Sequence, residues 1–109
     1  MKKTTQNKIL ALRCALLIAI SESEKHRDTE EGGTSNMDTP VIFLPGWNAT
    51  TIREAFILTG LLPDIRKDGA VYILRACEGQ GYRRTAMAEA FRDSLKASGY
   101  NAGVDYRID

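Results

Sequence analysis

From Glu22 to Asn36 the chain carries no apolar side chain at all. Such a stretch has nothing to bury and cannot offset its own ordering entropy. A structureless loop of that length is also foreign to the inside of a compact domain. The run therefore predicts a flexible linker, helical at most in its first turn. It divides the 109 residues into an N-terminal amphipathic helix over residues 1–21, a polar linker over 22–39 and a compact domain over 40–109. The single histidine, His26, falls inside the run. A general base must be held within hydrogen-bond reach of its proton, and a solvated linker offers no such hold. Cys14 and Cys77 lie in different segments without CxxC or Cys/His spacing, so no metal site is expected. They read as reduced thiols of a reducing compartment.

Ahead of the linker, Ile9, Leu12, Leu16, Ala19 and Ile20 recur at the spacing of one helical face, and Leu10, Leu17 and Ile18 widen it. A helix that apolar must bury itself, against its own domain or against a partner. Ile9 and Leu16 are the candidates for a partner-facing or self-associating surface. Met1-Lys2-Lys3 followed by an apolar stretch and Ala19-Ile20-Ser21 imitates a signal peptide. Arg13 interrupts the apolar stretch, which falls short of the roughly 20 residues a spanning helix needs. The expectation is an uncleaved helix, no membrane span and a cytoplasmic location, with export by an atypical signal peptide as the alternative.

Beyond Pro40 the pattern alternates between two periods. Val41-Ile42-Phe43-Leu44, closed by Pro45-Gly46, predicts a buried strand. Thr51-Ile52-Arg53-Glu54 has the form of a capping box, opening a helix that Gly60 caps and Pro63 stops. Ala70 to Cys77, entered through the Asp68-Gly69 turn, predicts a central strand. Met87, Phe91 and Leu95, with Ala88 beside them, predict a helix from Arg83 to Ser98 ended by Gly99. Val104 to Ile108 reads as a last short strand. The fold class expected is α/β or α+β: a small three-stranded β-α-β-α-β sheet with parallel pairing, two covering helices, and the N-terminal helix on its linker.

Fifteen basic residues stand against fourteen acidic ones, for a net charge of +1. That balance speaks against general coating of a polyanion and leaves room only for a local patch, for which Arg66, Lys67, Arg75, Arg83 and Arg84 are the candidates. Glu78-Gly79-Gln80-Gly81-Tyr82-Arg83-Arg84 joins a strand to a helix start, where free amides and the helix dipole favour an anion. Gly79, Gly81, Arg83 and Arg84 are the candidate anion site. Position 84 is arginine where a dinucleotide fingerprint has its third glycine, and no Walker lysine follows, so no cofactor is expected. Thr51 through Leu61 resembles the first helix and turn of a helix-turn-helix of the excisionase or MerR type. That resemblance implies a polar recognition helix a few residues on, whereas the chain runs Leu62-Pro63-Asp64-Ile65-Arg66-Lys67-Asp68-Gly69, short and of both charge signs.

The remaining acids are scattered. Glu89 and Asp93 share a helix face with Lys96 and read as a solvated surface. Trp47, in a Gly46-Trp47-Asn48 turn, is a candidate interface anchor. With no base or nucleophile to name, the leading expectation is a small non-catalytic regulatory protein, an inhibitor or adaptor, working through contacts with another protein. The alternatives are a DNA- or RNA-binding regulator using the Arg/Lys patch, and a small enzyme taking a phosphorylated ligand at Gly79–Gly81.

Overall fold

A computed structural model describes residues 3–33 and 37–107. Its elements are α1 (Lys3–Glu24), β1 (Thr39–Phe43), α2 (Ala49–Phe56), β2 (Leu62–Ile65), β3 (Ala70–Leu74), α3 (Gly81–Ala97) and β4 (Asn101–Asp105). In the strands the period of two decides what is buried. Ile42, Val71 and Ile73 point to one face and are buried with Leu44, while Phe43, Tyr72 and Leu74 alternate to the other. The three helices cover the first face only. Leu12, Leu16 and Ala19 of α1, Ile52, Ala55 and Phe56 of α2, and Phe91 and Leu95 of α3 form one cluster with the buried strand residues. Each large apolar side chain removed from water contributes about 1.5–3 kcal/mol.

The sheet has four strands in the order β2-β3-β1-β4, and every neighbouring pair is antiparallel. Three strands with parallel pairing were expected, and the difference comes from β2. Pro63 reads locally as a helix stop, yet it lies within an edge strand, where a missing N–H can face outward. The hairpin that follows turns at Asp68-Gly69, with Gly69 at φ +91° and the Asp68 carboxylate accepting the Ala70 N–H at 3.1 Å. That reversal sets β3 antiparallel to β1. β1 and β2 run in the same direction with β3 between them, and β3 and β4 do so with β1 between them. These two interleaved split β-α-β units are the ferredoxin-like arrangement. The recognition helix implied by the helix-turn-helix resemblance is absent, because its residues form β2.

α3 is the helix expected from Met87, Phe91 and Leu95, all buried. α2 differs at both ends. Its cap is Asn48, whose side chain accepts the Thr51 N–H at 2.8 Å, so the helix starts ahead of the Thr51–Glu54 box. It ends at Phe56, and Leu58 then adopts φ +68° before Gly60 is reached. β4 begins at Asn101, earlier than expected, and Ile108 lies outside the described residues, as do Met1 and Lys2.

The N-terminal helix is not held apart on a tether. It runs to Glu24 and packs on both other helices, and the Ser23 hydroxyl donates to the Met87 carbonyl at 3.1 Å. Arg13, the charge inside the apolar stretch, donates from its guanidinium to the Glu54 carbonyl in the last turn of α2. A cation there suits the negative end of the helix dipole. Most of the polar run is tied down too. Thr29, Glu31 and Gly32 bond to the start of α3, and Asp38 is 1 % exposed. Polar residues order themselves here through hydrogen bonds to a helix N-terminus, an option that a burial argument does not count. Among the described residues no helix is long and apolar enough to cross a membrane.

Candidate functional site

The glycine loop before α3 has the geometry expected of an anion site, and the chain fills it itself. Gly79 and Gly81 take positive φ, which turns the backbone toward Glu31. One oxygen of the Glu31 carboxylate accepts the Gln80 N–H at 3.0 Å and the other accepts Arg83 Nη1 at 3.0 Å. Arg83 Nε donates to the Thr29 carbonyl at 2.9 Å, and the Tyr82 N–H to the Gly32 carbonyl at 3.0 Å. A Cβ at Gly79 would stand 2.8 Å from Arg83 Cδ and 3.2 Å from Glu31 Cδ. An internal carboxylate therefore holds the place that a phosphate would take.

Arg84, next in sequence, serves a different partner. Its Nε donates to the Asp38 carbonyl at 2.8 Å. The Asp38 carboxylate accepts the Thr85 hydroxyl at 2.6 Å and the Arg107 N–H at 3.0 Å, joining the start of β1, the first turn of α3 and the end of β4. Burial pushes the Cys77 thiol up to about 12; Arg84 opposes that shift and Asp38 adds to it. A thiol so protonated is not a nucleophile at neutral pH.

The five basic residues expected to form a patch separate. Arg66 and Arg84 line one groove of about 310 Å3, together with Arg107, which sequence reasoning did not single out. Lys67 borders a second hollow beside Trp47. Arg83 is engaged by Glu31, and Arg75 is exposed beyond the end of β3 at φ +68°. The groove lies on the open face of the sheet, where Leu62 pairs with Leu74, Tyr72 with both Val41 and Asp64, and Phe43 with Ala70. Arg66 is bonded to Asp64 at 2.8 Å, and its guanidinium stands 4.3 Å from the centroid of the Tyr72 ring. Arg107 is paired with Asp105 at 2.7 Å.

The residues expected to face a partner are employed elsewhere. Ile9 and Leu16 are buried in the chain's own core, because α1 turns that stripe toward α2 and α3. Trp47 is half-buried against the same core, with the Lys8 ammonium 4.2 Å from its ring centroid. The exposed apolar side chains of α1 are Leu10, Leu17 and Ile18. A more prominent apolar surface lies where α2 runs into β2. There Ile57, Leu58 and Leu62 are exposed around a groove of about 500 Å3, in which Arg53 is the only charged lining residue. Sequence reasoning missed this surface, since it read Ile57 and Leu58 as the last turn of a helix.

His26 is exposed and borders a groove between α1 and α3 with Glu22, Glu89 and Asp93, but no side-chain hydrogen bond fixes it to another described residue. Among the described residues no group of three or more His, Cys, Asp or Glu could hold a metal ion. No protein-family model, curated protein or solved structure matches this chain.

Proposed function

We propose that the protein is a non-catalytic regulator that binds another protein through the Ile57–Leu58–Leu62 groove. The observation carrying this reading is Leu58, which is 85 % exposed and held at φ +68°. A left-handed conformation costs a side chain other than glycine or asparagine about 1–2 kcal/mol, and an apolar side chain in water returns none of it. Strain of this kind gathers at binding surfaces, where a partner supplies the missing contacts. Phe56 and Leu61, buried beside it, give the groove a firm floor.

The partner is an apolar segment that carries a carboxylate. Arg53 lines the groove exposed and unpaired among the described residues, so an acid placed opposite it gains a charge-assisted bond at the rim. The test is co-purification from the native host with wild type, Leu58→Asp and Arg53→Glu chains, followed by titration of the purified partner. A protein held by wild type should be lost on Leu58→Asp, with a fall in affinity of about 2 kcal/mol or more. It should be restored to Arg53→Glu when its own acid is changed to lysine. Equal capture by all three chains would refute the proposal.

A further inference from the structure

The open face of the sheet carries a second, chemically different surface. Helices cover one face of the four strands; on the other, Phe43 is 39 % exposed and Tyr72 half-buried, on the two central strands β1 and β3. Phe43 is paired with Ala70, and Tyr72 with Val41, so the two residues are diagonal neighbours on one face, their backbone positions about 7–8 Å apart. Val41 and Ala70, both buried, form the floor between them. The Phe43 ring reaches over the neighbouring strand β4, where a Cβ at Gly103 would stand 3.7 Å from it. Over β3 the exposed layer is the Arg66 guanidinium stacked on Tyr72. Arg84 and Arg107 line the same groove.

The geometry points to a site for single-stranded nucleic acid on this face, one base stacking on Phe43 and the next on the Arg66–Tyr72 pair. Four-stranded sheets that present aromatic side chains from their surface take two or three splayed bases in this way, and planar guanidiniums receive bases as aromatic rings do. A duplex cannot use the platform, because its bases are already stacked within the helix. Asp64 and Asp105 each pair with an arginine of the groove, so the field over the face is only weakly positive. Most of the affinity then comes from stacking and little from phosphate neutralisation. This site shares no lining residue with the Ile57–Leu58–Leu62 groove, although Leu62 of that groove pairs with Leu74 of this one, and the two proposals are tested through different side chains.

The test is fluorescence anisotropy of the full chain with fluorescein-labelled ten-nucleotide single strands of mixed, non-pairing sequence, one DNA and one RNA, beside a matched duplex. Saturable binding of a single strand is expected, with the duplex at least tenfold weaker. Comparison of the two strands assigns the ligand to DNA or RNA. Phe43→Ala and Tyr72→Ala should each weaken it about ten- to a hundredfold, while Phe43→Trp retains it. Circular dichroism verifies that each chain is folded, and Arg66→Ala, a surface change, provides a further arm should a ring variant unfold. The slope of log affinity against log salt should lie between about −1.4 and −2.1, from about −0.7 for each of two or three phosphates. Leu58→Asp should leave all of this unchanged. Absence of saturable binding by folded wild-type chain overturns the inference, as does binding indifferent to all three alanine variants or equal for duplex and single strand.

Discussion

Asp38 is where the fold is most exposed to a single change. Its carboxylate is buried and accepts two hydrogen bonds, from the Arg107 N–H at 3.0 Å and the Thr85 hydroxyl at 2.6 Å. Hydrogen bonds to a charged acceptor are each worth about 1.5–3 kcal/mol net, so two amount to roughly 3–6 kcal/mol. Against this stands the cost of keeping the carboxylate out of water, several kcal/mol. In Asp38→Ala that cost is relieved and the Thr85 hydroxyl keeps the Gly81 carbonyl at 3.2 Å, but the Arg107 N–H loses its acceptor at about 1–3 kcal/mol. The expected net loss is about 2 kcal/mol. Asp38→Asn keeps an oxygen for the Arg107 N–H and removes only the charge, so a loss of about 1 kcal/mol is expected. Urea unfolding followed by circular dichroism measures both, with the m-value as a control on the unfolded state. A loss below about 1 kcal/mol for Asp38→Ala, or equal losses for the two variants, would show that the carboxylate does not tie β1 and β4 to α3 as described.

Three further outcomes are expected. Leu16 is fully buried between the helices and the sheet, so Leu16→Ala should cost about 2–5 kcal/mol, and a chain beginning at Met37 should fail to give a cooperative thermal transition. With two exposed thiols the two cysteines would react alike with an aromatic disulfide reagent at pH 8. Here Cys14, which is exposed, should react readily, and Cys77 at least tenfold more slowly until the chain is unfolded. The same thiol bears on alkaline stability. It stays protonated in the fold up to about 12, whereas in the unfolded chain it ionises near 9.0. The folded state then holds a proton that the unfolded state has lost, and stability falls as pH climbs from 9 toward 12. Between pH 8.5 and 10.5 wild type should lose about 2 kcal/mol more than Cys77→Ala in urea titrations, and parallel losses would contradict the assignment.

Much of the architecture was legible in the residues. The four-residue recurrence of Met87, Phe91 and Leu95 identifies α3 because one face of that helix is buried and the other wet. The run from Ala70 to Cys77 identifies a central strand because β-branched and aromatic residues fill both of its sides, although the strand stops at Leu74, where Arg75 turns to φ +68°. β2 was not legible, since Leu62-Pro63-Asp64-Ile65 is short and contains the residue that excludes central strands. What admits it is a position at the edge, a property of the whole sheet. The antiparallel pairing was hidden for the same reason. Of the candidate site residues, Arg66 and Arg84 do come to one groove, but nothing local distinguishes them from Lys67 or Arg83. The platform of Phe43 and Tyr72 was invisible because alternation shows that two residues share a side of a strand and never which side remains uncovered. Glu31 shows the limit of composition most clearly. Its run has no apolar residue and reads as a tether, yet a carboxylate facing a helix start is enough to dock it.

The bond between Asp38 and Arg107 spans 69 residues, and α1 rests on α3 across a comparable stretch of chain. The first contact needs Arg107 and the second Met87, so during synthesis the leading helix meets α2 first and waits for α3 before its greasy side is fully covered. Folds closed by such distant partners assemble slowly. Loosening β4 at Arg107 should therefore free the start of β1 as much as β4 itself.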